Sequence, residues 1–397
     1  MIYRYIFFLI LGIDATILLY EISELSISYH EASVLYGNFS FLYLIEKFSF
    51  FLFGQNDFAL RIMMIVFHLF SVVLLYKISE KYLKHQRDRL WLVFIFVLLP
   101  GVTSSAILVD SAGFVILLLL LFVYIYDNFD KLYIYPLLFV YMVIDKEFLY
   151  LFFALFFFAL HQKDKRFLYF NTVMFFSSIY IYGLNTQGQP KGHFLDVIGL
   201  YSAVFTPIVF IYIFYVLYRR FLTKQTDIVW FISFVPLILS LLLSFRQKIN
   251  IEEFAPYLIV ALPLAAQTFS TSYRVRLKMF RTKYRVAFVS AVVFLLFNTT
   301  LVLFNKYLYL FIDKPQKHFA YKMHIAKELS KKLKNMGIEC INTDSAMQKR
   351  LKFYKINKCN KYTLKKLSPQ DRKNANVTIS YNSKIVYSAS ATKINIK

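Results

Sequence analysis

The sequence predicts an all-α polytopic membrane protein that ends in a small α/β domain. Three observations carry this. The first is composition: of 397 residues, 58% are hydrophobic and 20% aromatic, with only 10 glycines and 9 prolines, and the mean hydropathy is +0.53. A soluble chain of this length does not need so much apolar surface. The second is that windows of about 20 mainly apolar residues, the length that crosses a bilayer core, recur as far as residue 304 and then stop. The third is the tail: residues 314 to 397 hold 20 Lys and Arg against 4 Asp and Glu, with apolar residues spaced as in a soluble domain.

The first window, residues 2 to 20, carries Arg4 near its start and Asp14 within it, and no small-x-small cleavage site precedes Glu21. It reads as a retained span and not a removed signal peptide. Further windows lie at 58 to 78, 90 to 108, 111 to 126, 132 to 145, 148 to 161, 167 to 184, 198 to 217, 228 to 245, 255 to 270 and 286 to 304, which makes about eleven spans.

Positively charged short loops stay cytoplasmic, so the basic loops set the orientation. Lys81, Lys84, Arg87 and Arg89, then Lys163, Lys165 and Arg166, then Arg219, Arg220 and Lys224, and finally the run from 274 to 285 all fall on one side. A cytoplasmic N-terminus and an odd number of spans put every one of those loops inside. The same arrangement places 21 to 57, the 105 to 110 turn, 145 to 147, 185 to 197, 246 to 254 and everything after 305 outside. The basic tail does not overturn this, because long translocated segments largely escape the charge rule.

In the tail, a helical run over 319 to 335 is stopped by Gly337, and IECINT reads as a strand. A second helix covers 345 to 354, and VTISYN and KIVYSAS form two strands joined by an Asn-Ser turn. The domain boundary falls at about residue 310, giving a transmembrane region over 1 to 310 and a small basic domain over 311 to 397. Its lysines suit a solvated surface or docking to anionic lipid head groups. No nucleic-acid motif occurs, and nucleic acid is excluded as a partner. Cys340 and Cys359, the only cysteines, either pair in an oxidising compartment or stay as buried thiols, and spacing alone does not decide between them.

No Gly-rich phosphate loop, G-x-S-x-G, H-E-x-x-H or C-x-x-C occurs, and no internal repeat points to a transporter of duplicated halves. What stands out is a set of charged residues at the outer ends of the spans: His30, Glu31, Arg61, Asp110, Asp145, Lys146, Glu147, Lys191, His193, Asp196, Arg246, Lys248, Glu252 and Glu253. One such residue marks a helix end. Many of them at one side suggest a polar cavity, because a membrane interior excludes charge.

Several segments in order carry a resemblance. SYHEASVLYG follows the first span; LFGQNDFALRI enters the second; LLPGVTSSAILVDSAGFVILLLLLF follows; IDKEF comes after the fifth; and FRQKINIEEFAPY precedes a Pro-containing span. This order resembles the GT-C glycosyltransferases, in the branch that holds protein O-mannosyltransferases and the lipid A aminoarabinose transferase. The likeness covers residues 1 to about 310, and the tail sits where that branch often carries an extracytoplasmic domain.

The resemblance implies an inverting glycosyltransferase of the bacterial inner membrane. It would take a sugar from a polyprenyl-phosphate carrier and move it to a lipid, glycan or protein acceptor on the periplasmic face. It implies a catalytic carboxylate in the first outer loop. His30 and Glu31 stand where the family has an Asp-Glu pair, so the expected base is Glu31, with His30 sharing the work or binding the sugar. Asp110 matches the second acidic position and would orient the acceptor or stabilise positive charge on the sugar ring; alternatively it caps the helix starting at Ser111.

Lys146, Arg246 and Lys248 match the cations that would hold the donor phosphate, where fixed positive groups stabilise growing charge. Arg61 matches too, or anchors the second span. Glu252, Glu253 and His193 are expected at the substrate, although Glu253-Phe254 stands where the family often has Arg-Tyr. No cofactor is required; a divalent cation is compatible with Glu31 and Asp110, but no ligand spacing demands one. Two other classes compete: a transporter or flippase of a lipid-linked intermediate, which needs polar residues through the membrane depth, and a non-catalytic assembly subunit, if His30-Glu31 marks lost activity.

Overall fold

The computed structural model describes residues 2–37, 40–183, 192–367, 375–382 and 384–393. The chain divides into two compact units. The first contains residues 1–16, 64–106 and 110–299; the second contains 17–63, 107–109 and 300–397. The tail therefore shares its unit with the first loop, so the second unit does not begin at residue 310.

The helices follow the apolar windows. They are α1 (Ile2–Glu24), α2 (Tyr29–Tyr36), α3 (Phe41–Phe53), α4 (Asp57–Tyr82), α5 (Gln86–Val97), α6 (Pro100–Ile107), α7 (Ser111–Asn128), α8 (Ile134–Ile144), α9 (Leu149–Gln162) and α10 (Lys165–Tyr182). Then come α11 (Phe194–Phe205), α12 (Pro207–Leu222), α13 (Ile228–Leu243), α14 (Ala255–Ile259), α15 (Leu262–Val275), α16 (Lys278–Leu303), α17 (Ala326–Asn335) and α18 (Ser345–Phe353). Among the described residues, α1, α4, α7 and α16 are each long and apolar enough to cross a membrane, and two bent pairs raise the number to six at most. The expected count of about eleven is therefore not reached by helix length.

Two expected spans are broken, each at a proline. The window 90 to 108 is the pair α5 and α6, bent by 62° before Pro100. The window 198 to 217 is the pair α11 and α12, bent by 106°. A residue before proline is driven out of the helical region. At the second break Thr206 sits at φ 65°, a left-handed conformation that is costly for a β-branched side chain, and Pro207 starts the next helix.

In the first unit α9 packs on α10 and α13, α13 on α14, and α14 on α7, around a core that includes Phe122, Phe152, Leu155, Ile232, Tyr257 and Leu258. The start of α7 is held close to the chain before it. A Cβ on Gly113 would meet the Ser105 carbonyl oxygen at 2.7 Å, so the approach needs glycine. Asp14, the acid inside the first window, is paired: its Oδ2 lies 2.7 Å from His68 Nε2 on α4.

In the second unit α18 packs on α2 and α17. The hydrogen bonds between first loop and tail are specific. Ser26 donates from both N and Oγ to the Met323 carbonyl, at 3.0 and 2.6 Å. Gln55 Nε2 donates to the Phe353 carbonyl at 2.9 Å, and Tyr354 Oη accepts from Ile27 N–H at 3.0 Å and donates to Asp57 Oδ1 at 2.6 Å.

The expected helix over 319 to 335 is divided into a 3₁₀ turn, Tyr321–His324, and α17. IECINT is not a strand; it makes two isolated bridges, Cys340 to Asn357 and Asn342 to Thr363. Strands β1 (Tyr362–Lys366), β2 (Val377–Tyr381) and β3 (Lys384–Lys393) form an antiparallel sheet in the order β1-β3-β2. Asn382 takes the left-handed conformation at φ 47° that a tight hairpin needs. Cys340 and Cys359 form a disulfide with Cα atoms 5.4 Å apart and a sequence separation of 19. Closing a loop of that size constrains the unfolded chain by about 3 kcal/mol.

Candidate functional site

The sequence-predicted residues fall into two groups, one in each unit.

In the second unit Ser28 and Glu31 form a capping box at the start of α2: Ser28 Oγ accepts from Glu31 N–H at 3.1 Å, and Glu31 Oε2 accepts from Ser28 N–H at 2.7 Å. Arg61, on the first turns of α4, lies across the same carboxylate. Its Nε donates to Oε1 at 2.9 Å and its Nη2 to Oε2 at 2.8 Å. The remaining Arg61 donors reach the carbonyls of Ile22, Leu25 and Ser26, and Val109 N–H adds a fourth donor to Glu31. Arg61 is 0% exposed and Glu31 1%. Burial raises the Glu31 pKa, but the charge and hydrogen bonds of Arg61 outweigh it and hold the carboxyl below its usual range.

This corrects two expectations. Arg61 has its five N–H donors engaged and no surface, so it does not reach a phosphate. Glu31 accepts four hydrogen bonds and is held ionised by its guanidinium partner, which suits an anchor and opposes a proton acceptor. His30 is exposed in the first turn of α2. Glu46 on α3 escaped the sequence reading: it is fully buried, neither oxygen has a hydrogen-bond partner among the described residues, and burial raises its pKa to about 9, so it is neutral at ordinary pH.

The first unit gathers carboxyl groups around one lysine. Asp110 occupies the N-cap position of α7, yet its side chain makes no capping bond, so it does not act as a side-chain cap. Ser111 Oγ lies 3.3 Å from Asp110 Oδ1 and in hydrogen-bond contact with Glu147 Oε1. The short turn Lys146–Phe148 follows Asp145, whose Oδ1 accepts from Glu147 N–H at 3.0 Å. Lys146 Nζ is 2.8 Å from Glu253 Oε1, and Tyr150 Oη donates to Glu253 Oε2 at 2.9 Å.

The charges in this group perturb one another. Burial, then the neighbouring acids, raises Asp145 and holds Glu147 well above the ordinary carboxylate range. Lys146 is pulled down by burial and raised more strongly by Glu253, with a net increase. Two predicted residues, Lys146 and Glu253, are therefore brought into contact. Sequence reading gave Glu147 no role and missed Ser111 and Tyr150. The acids flanking Lys146 in IDKEF were the only available signal.

His193 Nδ1 lies 2.9 Å from Asp196 Oδ2, and His193 N–H donates to the Ser244 carbonyl at 2.8 Å. Arg246, Lys248 and Glu252 are exposed in the stretch that follows α13. Lys191 lies outside the described residues. No group of three or more His, Cys, Asp or Glu among the described residues is placed to hold a metal ion.

No family model and no curated protein matches the chain. Among solved structures, its fold is similar to that of ArnT from Cupriavidus metallidurans in the apo state, with a TM-score of 0.56 and 11% sequence identity over 96% of this chain and 97% of that one. The resemblance read in the sequence is thus borne out at the level of fold.

Proposed function

We propose that the chain is a glycosyltransferase of the bacterial inner membrane that moves a sugar from a polyprenyl-phosphate carrier to a lipid, glycan or protein acceptor at the periplasmic face. The observation that carries this is the end-to-end likeness to the ArnT fold, in the branch that the ordered segments of the sequence resemble. The unit 1 cluster supplies the chemistry. Asp110 is the proton acceptor for the attacking hydroxyl or amine. Inversion follows from that single displacement at the sugar carbon: the acceptor's proton goes to Asp110, and the bonding electrons leave with the carrier phosphate. Lys146 exchanges Glu253 for the donor phosphate, and Arg246 and Lys248 add charge to the same leaving group. His193, Glu252 and Glu253 bind substrate. Catalysis in this reading needs no metal.

The reading is tested with purified protein and a panel of polyprenyl-phosphate sugars. Transfer of one sugar with inversion is expected; a complete failure across donors and acceptors, with lipid-linked substrate instead exchanged between leaflets of a vesicle, favours the flippase reading.

The topology belongs to the same proposal: about eleven crossings, some of them by short or bent helices, with an inside N-terminus and the tail outside. A disulfide between Cys340 and Cys359 suits an oxidising compartment. In cells, both thiols are expected to resist alkylation until reduced, and a periplasmic reporter fused after residue 310 is expected to be active. Thiols that alkylate without reductant, together with an active cytoplasmic reporter, refute the orientation.

A further inference from the structure

Ser111 stands between two carboxyl groups, 3.3 Å from Asp110 Oδ1 and in contact with Glu147 Oε1. A serine hydroxyl carries one hydrogen. If both carboxyls were ionised, one of them would face the serine oxygen with lone pairs opposed, so a second proton is required. Glu147 is better placed to hold it. It is 3% exposed, and its Oε2 has no hydrogen-bond partner among the described residues, which strongly disfavours a charge there. Asp110 is half-buried.

We propose that Glu147 is a protonated positioning residue: its carboxylic O–H donates to Ser111 Oγ, Ser111 O–H donates to Asp110 Oδ1, and this relay fixes the Asp110 carboxylate for proton abstraction. The purpose of the relay rests on the reading of Asp110 as the base. No bond is broken in it and no proton is consumed; the acceptor's proton ends on Asp110.

The surroundings agree. Burial, then Asp145, Asp110 and Glu253, all push Glu147 toward its neutral form, and the Ser111 contact only partly offsets them. Tyr257 Oη of α14 donates to the Glu147 carbonyl at 2.7 Å, and Tyr150 of α9 donates to Glu253. Lys146, the cation of the same turn, is held by Glu253.

The test has two arms. Infrared difference spectra of wild type against Glu147→Gln at neutral pH read the proton directly and need no turnover: the Glu46 band cancels because both proteins carry it, and a carboxylic C=O band that shifts in D₂O is expected to remain in the difference, from the wild type alone. In the transfer assay Glu147→Gln keeps an N–H donor to Ser111 and is expected to hold kcat within a few-fold. Glu147→Leu and Ser111→Ala are expected to lower kcat about tenfold with KM little changed, the effect of one hydrogen bond. Absence of the band overturns the proposal whatever the enzyme does, and so does a Gln variant as impaired as Leu. Transfer undiminished by Asp110→Asn removes the base assignment beneath it, a failure that the infrared arm keeps distinct.

Discussion

Replacement of Arg61 by leucine is expected to destabilise the protein by about 3–5 kcal/mol, because it leaves the Glu31 carboxylate buried without its counter-ion. The pair is wholly enclosed, with Arg61 at 0% and Glu31 at 1% exposure, so water cannot replace the lost donors. Glu31→Gln should cost less, since the amide keeps one acceptor for the guanidinium. Arg61→Leu combined with Glu31→Leu should recover part of the loss, because no charge then remains inside. The measurement is the fraction of protein that stays monodisperse after heating. A single Arg61→Leu variant as stable as wild type would show that the pair holds nothing. The pH dependence has a fixed sign. The folded-state Glu31 pKa lies below the unfolded value of about 4.3, so the stabilisation is complete above that pH and disappears as pH falls through the folded value.

Asp110→Asn is expected to reduce transfer by about 10²–10⁴-fold, the usual contribution of a positioned general base, without a comparable loss of folded protein. Glu31→Gln is expected to show the reverse pattern: folded yield falls while turnover per folded molecule changes little. The contrast separates a proton acceptor from an anchor. If Glu31→Gln abolishes turnover in molecules that remain folded while Asp110→Asn does not, the assignment of the base is inverted. Both variants should be compared at equal folded concentration, read from the same monodisperse peak.

Much of the secondary structure was legible because apolar length is a local signal. Windows such as 58 to 78 and 111 to 126 appear as α4 and α7, and the second tail helix and the hairpin stand where capping and turn residues put them. The breaks at Pro100 and Pro207 were also written locally, but a hydropathy window averages over a proline and hides it. The candidate site was less legible. Arg61 lies 30 residues from Glu31 and Ser111 lies 36 from Glu147, and nothing in sequence says which acid will meet which base. Glu31 was expected as the base. The capping box Ser28-x-x-Glu31 was visible as a pattern, while the guanidinium that tips the balance was not.

The hydrogen bonds between first loop and tail also govern the order in which the chain can mature. Ser26 and Met323 are 297 residues apart, and Ile27 and Tyr354 are 327 apart. At a synthesis rate of about 5–20 residues per second, the loop waits roughly 15–60 s for the partners that complete its unit. During that interval the loop carries open hydrogen-bonding groups, among them the Ile27 N–H and the Asp57 carboxylate. A chain arrested before Tyr354 is therefore left with an unfinished N-terminal loop, and quality-control proteases that recognise such a loop would in effect be inspecting the tail.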